Sequence, residues 1–466
     1  MVDGVIISII TFFWLTNIPI AFLSVIRFLR NRSIYIGKDL CQDLCAPNII
    51  FQITTRSATK TSVVKRGIDS IIDSTLNIKY CSYQISIITE DPEDLITLKS
   101  SPCDIVVVDK QFATSAIKKA RALQYAVESR RRVGRNTPKY WVFHMDDESY
   151  VTTQTILSLL KFIRNNSKAI ASEGPIFYPL KLESANPLTA IAESIRPFTC
   201  YDCVSQMRKK SPPLHMHGSN LLVRSDIEDA IGWNFGPTLA EDQMFGFKLF
   251  QKYGQKSMGW HGGVLLEQPP LNMKDHFMQR RRWILGSLQN IHQHQFPPIH
   301  RFKLMYKLVS YSVGFASGII SLILSVQTNI LLIMPSSHSI SEINNSITTG
   351  VTMSLDKILN TVYTQSIIHS LINSVTPLDF GIGSLLLFSS VVWLFSYQFG
   401  LFLNLRYSKI NWPKRIIFHL QTLAFCPLIG LVETFPAFCA FIEYYVRRQT
   451  NTAKKIPTYD FYVVNK

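Results

Sequence analysis

Apolar residues are unevenly spread along this chain. Long uncharged apolar runs fill the N-terminus and the last third, while residues 31 to 305 mix apolar and polar positions as a soluble domain does. The first run, Gly4 to Ile26, is about long enough to cross a hydrocarbon core of roughly 30 Å. Arg27, Arg30 and Arg32 follow it. A cleaved signal peptide has its basic residues before a shorter apolar core, so residues 1–30 read as a retained anchor with the following domain in the cytosol. A second run covers Tyr306 to Met334, and a third covers Gly381 to Leu405, followed by Arg406, Lys409, Lys414 and Arg415. The loop between them, Pro335 to Phe380, has Lys357 as its only Lys or Arg, which places it on the lumenal or outer side. The sequon at Asn344 lies there, whereas the one at Asn165 falls in the cytosolic domain. The last stretch, Ile416 to Val446, is basic at both ends and contains Pro427 and Pro436. That pattern reads as a re-entrant pair or tight hairpin, with one long tilted helix as the alternative. The C-terminal membrane region then spans 303–446, and a basic cytosolic tail spans 447–466.

Between the apolar runs, in a soluble domain of about 40–300, periods of two and 3.6 alternate. Asn48 to Thr54, Tyr83 to Thr89, Asp104 to Val108 and Tyr140 to Met145 are short runs with strand character. Thr61 to Leu76, Ser115 to Arg130 and Thr153 to Arg164 have helical spacing. The β-α-β-α order predicts an α/β fold with a doubly wound, mostly parallel sheet, plus the transmembrane helices. Ligands of such sheets bind at the carboxyl ends of the strands.

Those ends are acidic. One strand runs into Glu90-Asp91, another into Asp146-Asp147-Glu148. Asp146 and Glu148 are two apart and face the same way in an extended chain. Together with water and diphosphate oxygens they would complete a site for Mg²⁺ or Mn²⁺; the plain alternative is a turn that caps the next helix. Glu241-Asp242 opens a further helix, where the helix dipole alone favours acids. Gln279, Arg282 and Trp283 share a helix face, with groups suited to hydroxyls, a phosphate and a sugar ring. A basic amphipathic helix on the membrane surface is the competing reading.

The formal net charge of +16 raises nucleic acid as a partner. The basic residues sit at span ends and on helix faces without interleaved aromatics, which argues against nucleic acid and for the cytoplasmic side of a membrane. Among eight cysteines, Cys200 and Cys203 form a C-x-x-C, and Cys41 and Cys45 lie four apart. Neither pair has an evident second half at zinc-ligand spacing, so reduced, buried thiols are expected.

The order of these elements resembles the membrane-bound branch of the family 2 inverting glycosyltransferases, which includes the cellulose, chitin and hyaluronan synthases. The pattern is an early Asp (Asp91), a D-x-D-like pair (here D-x-E, Asp146 and Glu148), an E-D motif (Glu241-Asp242) and Q-x-x-R-W (Gln279, Arg282, Trp283) before a span. Lys119 to Leu123 resembles the K-A-x-A-L segment near the nucleotide, and Gly218-Ser219-Asn220 the small-residue segment before E-D. The resemblance covers roughly residues 48 to 290. Within the branch, ITTR (Ile53–Arg56), ARALQY (Ala120–Tyr125), FHMDDES (Phe143–Ser149) and LAEDQMFGFK (Leu239–Lys248) are similar to the Egghead-like β-1,4-mannosyltransferases.

The resemblance implies a GT-A type domain and an inverting transfer of a hexose from GDP-mannose, or from a UDP-sugar, to a lipid-linked sugar acceptor. It implies Asp242 as general base and Mg²⁺ or Mn²⁺ on Asp146 and Glu148. Asp91, Lys119, Arg282 and Gln279 would hold the donor, and Trp283 and Glu241 the acceptor. Whether Glu90 or Asp91 meets the nucleotide stays open. The expected location is a multi-pass membrane protein with a cytosolic catalytic domain, in the ER or Golgi of a eukaryote and otherwise in the plasma membrane. A processive polysaccharide synthase is the alternative within the enzyme class. A transporter or receptor with a regulatory domain is the alternative outside it, with Glu433 and Glu443 as the only acids inside a span to support it.

Overall fold

The structure, a computed structural model, describes residues 19, 21–30, 47–56, 61–76, 78, 82–165, 169–207, 215–292, 296–309 and 377–450. The apolar run from 310, the loop with Asn344, Cys41, Cys45, most of the proposed anchor and most of the basic tail lie outside these residues.

Nine strands are described: β1 (Asn48–Thr54), β2 (Ser82–Thr89), β3 (Asp104–Val107), β4 (Tyr140–Asp146), β5 (Ala171–Glu173), β6 (Ile176–Phe177), β7 (Leu221–Arg224), β8 (Met258–Trp260) and β9 (Leu265–Leu266). Seven form one sheet in the order 3-2-1-4-7-5-8, and β6 pairs with β9 separately. β3, β2, β1 and β4 are parallel neighbours, and β7 alone in the large sheet runs antiparallel to both its neighbours. The four strands read from the sequence are therefore the parallel half of a mostly parallel sheet. β5, β7 and β8, of three or four residues each, are too short to leave a periodic signal.

The interior of β1 is buried on both faces, as a central parallel strand requires. Ile49, Phe51 and Ile53 pack with Val64, Ile68 and Ile71 of the helix Thr61–Thr75 and with Ile156, Leu159 and Phe162 of the helix Thr153–Asn165. Each such side chain contributes on the order of 1.5–3 kcal/mol by leaving water. Gln52, on the other face, accepts from Arg130, which also binds Glu228 at 2.5 Å; Glu228 in turn meets His144 at 3.1 Å and Trp233 Nε1 at 2.7 Å. This buried network ties β1, β4 and two helices together.

The chain lays down β1, β2 and β3 in one direction, then crosses back to the far side of β1 as β4. The carboxyl ends of β1 and β4 thus flank the point where the winding reverses, the position at which open α/β sheets bind ligands. Thr54 and Asp146 are register partners there.

Two described helices carry segments long and apolar enough to cross a membrane, Phe388–Arg406 and Leu428–Arg448. The second lies in one continuous helix, Trp412–Thr450. This corrects the reading of 416–446 as a re-entrant pair or hairpin. The two prolines do not break it, because lateral contacts hold the helix along its length. Glu433 accepts from Arg280 at 2.8 Å, Glu443 accepts from Arg281 at 2.6 Å, and Ala437, Ala440 and Tyr444 pack against Leu285 and Leu288. The basic helix Met273–His292 therefore turns two arginines to another helix's acids, and those acids face protein rather than a transport path.

Candidate active site

Asp146 ends β4 and its main chain is fixed from below. Its N–H donates to the hydroxyls of Ser149 at 3.1 Å and Ser219 at 3.3 Å, and both hydroxyls bond to Glu267 Oε1 at 3.1 and 2.7 Å. The Asp146 side chain is about one-third exposed and accepts from Lys119 Nζ. Lys119 enters at the start of the helix Lys118–Arg132 and also donates to the Gly218 carbonyl at 3.2 Å. Burial alone would lower the Lys119 pKa. Asp146, Glu241 and Asp242 outweigh it and hold the ammonium at about 12.

Glu241 and Asp242 open the helix Glu241–Tyr253, so the dipole places them at its positive end. Burial first, and their mutual repulsion second, push Glu241 up to about 7 against the pull of Lys119 and Arg282. Burial also raises Asp242, while the Gln243 N–H, Lys119 and Arg282 oppose the shift. Two glycines let these parts meet. A Cβ on Gly218 would lie 3.3 Å from both Asp242 Oδ2 and Lys119 Nζ. A Cβ on Gly286 would lie 2.6 Å from the Ala240 nitrogen, so only glycine lets the helix Met273–His292 sit this close to the acidic turn.

The expected Q-x-x-R-W face divides its work. Arg282 is electrostatically coupled to Glu241 and Asp242. Trp283 lies under two guanidinium groups, Arg280 at 4.5 Å and Arg196 at 4.7 Å. Gln279 Oε1 accepts from Arg280 at 2.8 Å. Arg280 itself is buried, bound to Glu193 at 2.6 Å and Glu433 at 2.8 Å, with His276 between the same two acids. Burial would raise the Glu193 pKa, but Arg280, His276 and Arg196 hold it down at about 2. Sequence reasoning missed Arg280, Glu193 and His276; the acids at 433 and 443, out of place in an apolar run, were the available signal.

At the end of β2 the two candidates separate. Glu90 pairs with Arg121 at 3.6 Å, and Asp91 Oδ1 accepts the Glu93 N–H at 3.0 Å as a turn cap. Arg121 also donates to the Asp109 carbonyl beyond β3. Glu148 is buried, with the Arg66 guanidinium as an electrostatic partner and its own carbonyl accepting from Arg66 at 3.1 Å. The structure thus gathers Lys119, Asp146, Glu241, Asp242 and Arg282, and places Asp91, Glu148, Gln279 and Trp283 in other contacts around them. For a hard divalent ion the oxygen-only donors are the right chemistry, and Asp146 fits by its exposure.

Comparison with known proteins now adds to this geometry. The model of "Glycosyl transferase family group 2" matches residues 141–405, more than half of the chain. The β-1,4-mannosyltransferase egh of Drosophila melanogaster is 25% identical over 280 residues, and the β-1,4-mannosyltransferase bre-3 of Caenorhabditis elegans is 26% identical over 279. Each match covers 58% of this chain and 58% of the relative, so the chain spans little more than half the length of these relatives. Among solved structures, the mannosyltransferase PcManGT from Pyrobaculum calidifontis, in complex with GDP-Man and Mn²⁺, aligns over 82% of this chain and 98% of its own, at 11% identity and a TM-score of 0.44. The family match begins on β4, takes in Asp146, Glu241, Asp242 and the helix Met273–His292, and runs to the end of the helix Pro377–Arg406: the chain belongs to glycosyl transferase family group 2.

Proposed function

We propose that this enzyme transfers mannose from GDP-mannose, with inversion, to a lipid-linked glycan, forming a β-1,4 bond. The observation that carries the reading is the meeting of Lys119, Asp146, Glu241, Asp242 and Arg282 where the sheet's winding reverses. The mannosyltransferase relatives support the sugar, and the two apolar helices support an acceptor held in a membrane.

In this reading Asp242 takes the proton of the acceptor hydroxyl as its oxygen attacks the anomeric carbon. Its raised pKa suits a base at neutral pH. Glu241, beside it, orients the acceptor. Lys119 and Arg282 face the diphosphate, and the two cations offset its charge. Asp146 and Glu148 are the proposed ligands of Mg²⁺ or Mn²⁺, which when bound supplies positive charge to the leaving group. Asp91 and Gln279 complete the donor side through the turn and helix they fix. Trp283, held by its two arginines, would place the acceptor sugar. The catalytic domain is placed on the cytosolic side, where nucleotide sugars are made.

The test is to incubate the purified full chain in lipid nanodiscs with labelled GDP-mannose and, in parallel, UDP-sugars, each with a glucosyl lipid and with Mg²⁺ or Mn²⁺. One added mannose per acceptor is the expected product. Transfer from a UDP-sugar alone overturns the donor assignment. A ladder of long chains favours a processive synthase instead.

A further inference from the structure

We infer that Cys203, His215 and His217 form a second metal site, for a borderline-soft divalent ion of which zinc is the foremost, separate from the ion proposed at Asp146. One ligand atom from each residue lies within 4.8 Å of the other two. Cys203 Sγ and His217 Nε2 are 3.8 Å apart, and the two imidazole centroids are 5.0 Å apart at 83°. On a tetrahedral zinc, bonds of ~2.3 Å to sulfur and ~2.0 Å to nitrogen separate the two donors by about 3.6 Å. The Cys203–His217 pair is therefore already near its liganded spacing, and the third donor lies within 4.8 Å of both.

The surroundings are those of a ligand set. His217 is nine-tenths buried, its Nδ1 makes no hydrogen bond of good geometry, and the Gly174 carbonyl lies beside its ring. A carbonyl in that place is the usual outer partner that fixes a ligating imidazole. Glu173 accepts the His217 N–H with one oxygen, and its other oxygen is buried without a hydrogen-bond partner. A Cys203 thiolate offsets one of the ion's two charges. The thiol proton goes to solvent as the sulfur–metal bond forms. His215 is exposed and gives the ion a way in. Sulfur and imidazole select zinc over magnesium or manganese, so the two ions need not compete.

The C-x-x-C read from the sequence misleads by its first member. Cys200 points its thiol at the Arg196 carbonyl, 3.6 Å away, and the partners of Cys203 come from beyond the helix end. The site has a place in the enzyme's architecture. His217 is followed by Gly218, whose carbonyl holds Lys119, and by Ser219, whose hydroxyl holds the Asp146 main chain. A metal clamped on His215 and His217 would fix the strap that aligns both.

The test uses the purified full chain, stripped of metal and titrated with Co²⁺. A near-ultraviolet thiolate-to-cobalt charge-transfer band saturating at one equivalent, reversed by Zn²⁺ and not by Mg²⁺, is expected. Cys203→Ser should abolish the band, His217→Asn should weaken Co²⁺ binding at least tenfold, and Cys200→Ser should leave both unchanged. Elemental analysis of untreated protein should find close to one zinc per chain. A wild-type chain that gives no such band and carries no zinc overturns the site. Loss of the band in Cys200→Ser with retention in Cys203→Ser overturns the ligand set. These readouts do not depend on mannosyl transfer, so they stand or fall apart from the proposed reaction.

Discussion

Replacing Glu433 by Gln tests whether the last helix is part of the catalytic domain. Glu433 and Arg280 are each 2% exposed, and they share two contacts of 2.8 and 3.1 Å. Gln keeps the shape of the side chain and removes its charge. Arg280 then keeps Glu193, at 2.6 Å, but loses its second carboxylate, while His276 presses on Glu193 as well. Breaking one partner from a buried ion pair costs about 3–5 kcal/mol, and the retained amide oxygen places this change near the lower end, at about 3 kcal/mol. At about 2 °C per kcal/mol for a chain of this size, the unfolding midpoint in detergent should fall by about 6 °C. The double variant Arg280→Met/Glu433→Leu removes both members of the pair and should be more stable than the sum of the single changes by about 2 kcal/mol. A Glu433→Gln chain within about 0.5 kcal/mol of its parent, or strict additivity in the cycle, would refute the coupling. The network has a pH signature as well. Burial, and Arg280 beside it, would lower the His276 pKa, but Glu433 and Glu193 outweigh them and raise it. Stability from this group is full below the ordinary histidine pKa and is lost as pH rises through the raised one. Glu433→Gln should flatten that dependence.

Other expectations concern the reaction. Asp242→Asn should reduce transfer by about 10²–10⁴-fold while donor affinity, read by titration calorimetry, changes little; near-normal turnover would remove Asp242 as the base. Because Glu241 is pushed up to about 7 and Asp242 is raised beside it, kcat/KM should fall as pH drops through about 7 and the acid pair takes up a proton. A profile flat from pH 5 to 8 (roughly the interval over which such a pair would titrate) contradicts a role for the pair. Gly286→Ala drives a methyl into the main chain at Ala240 and should destabilise the chain by about 1–3 kcal/mol and impair transfer. Serine at 286 should do no better, and a tolerant site would mean that the helix is free to back away from Glu241.

The parallel half of the sheet was legible because its strands are four to eight residues long and separated by helices with clear periods. β7, β5 and β8 of the same sheet, and the separate β6–β9 pair, were not, since they run two to four residues without the alternating strand and helix order around them and are fixed by the partners they meet in space. Asp146, Glu241 and Asp242 stood out as acids at element ends, which local sequence reports well. Arg282 stood out on a helix face with Gln279 and Trp283, and Lys119 through its K-A-x-A-L segment. That these two cations meet the acids was not legible, because they come from far along the chain. Arg280 docks on Glu433 and Arg281 on Glu443, which left Arg282 for the acid pair. The prolines at 427 and 436 pointed to a broken segment, because the contacts that keep the helix whole lie on other elements.

The ties from Arg280 and Arg281 to the final helix bear on how this protein can be handled. A version cut after residue 309 would keep every residue assigned to the reaction, yet expose the buried Arg280 guanidinium, strip Arg281 of its partner Glu443 and bare the Leu285–Leu288 face at once. Such a fragment should aggregate rather than behave as a free enzyme. The hydrophobic helix is thus a wall of the candidate active-site domain, and detergent or lipid that loosens it should slow turnover before the protein unfolds.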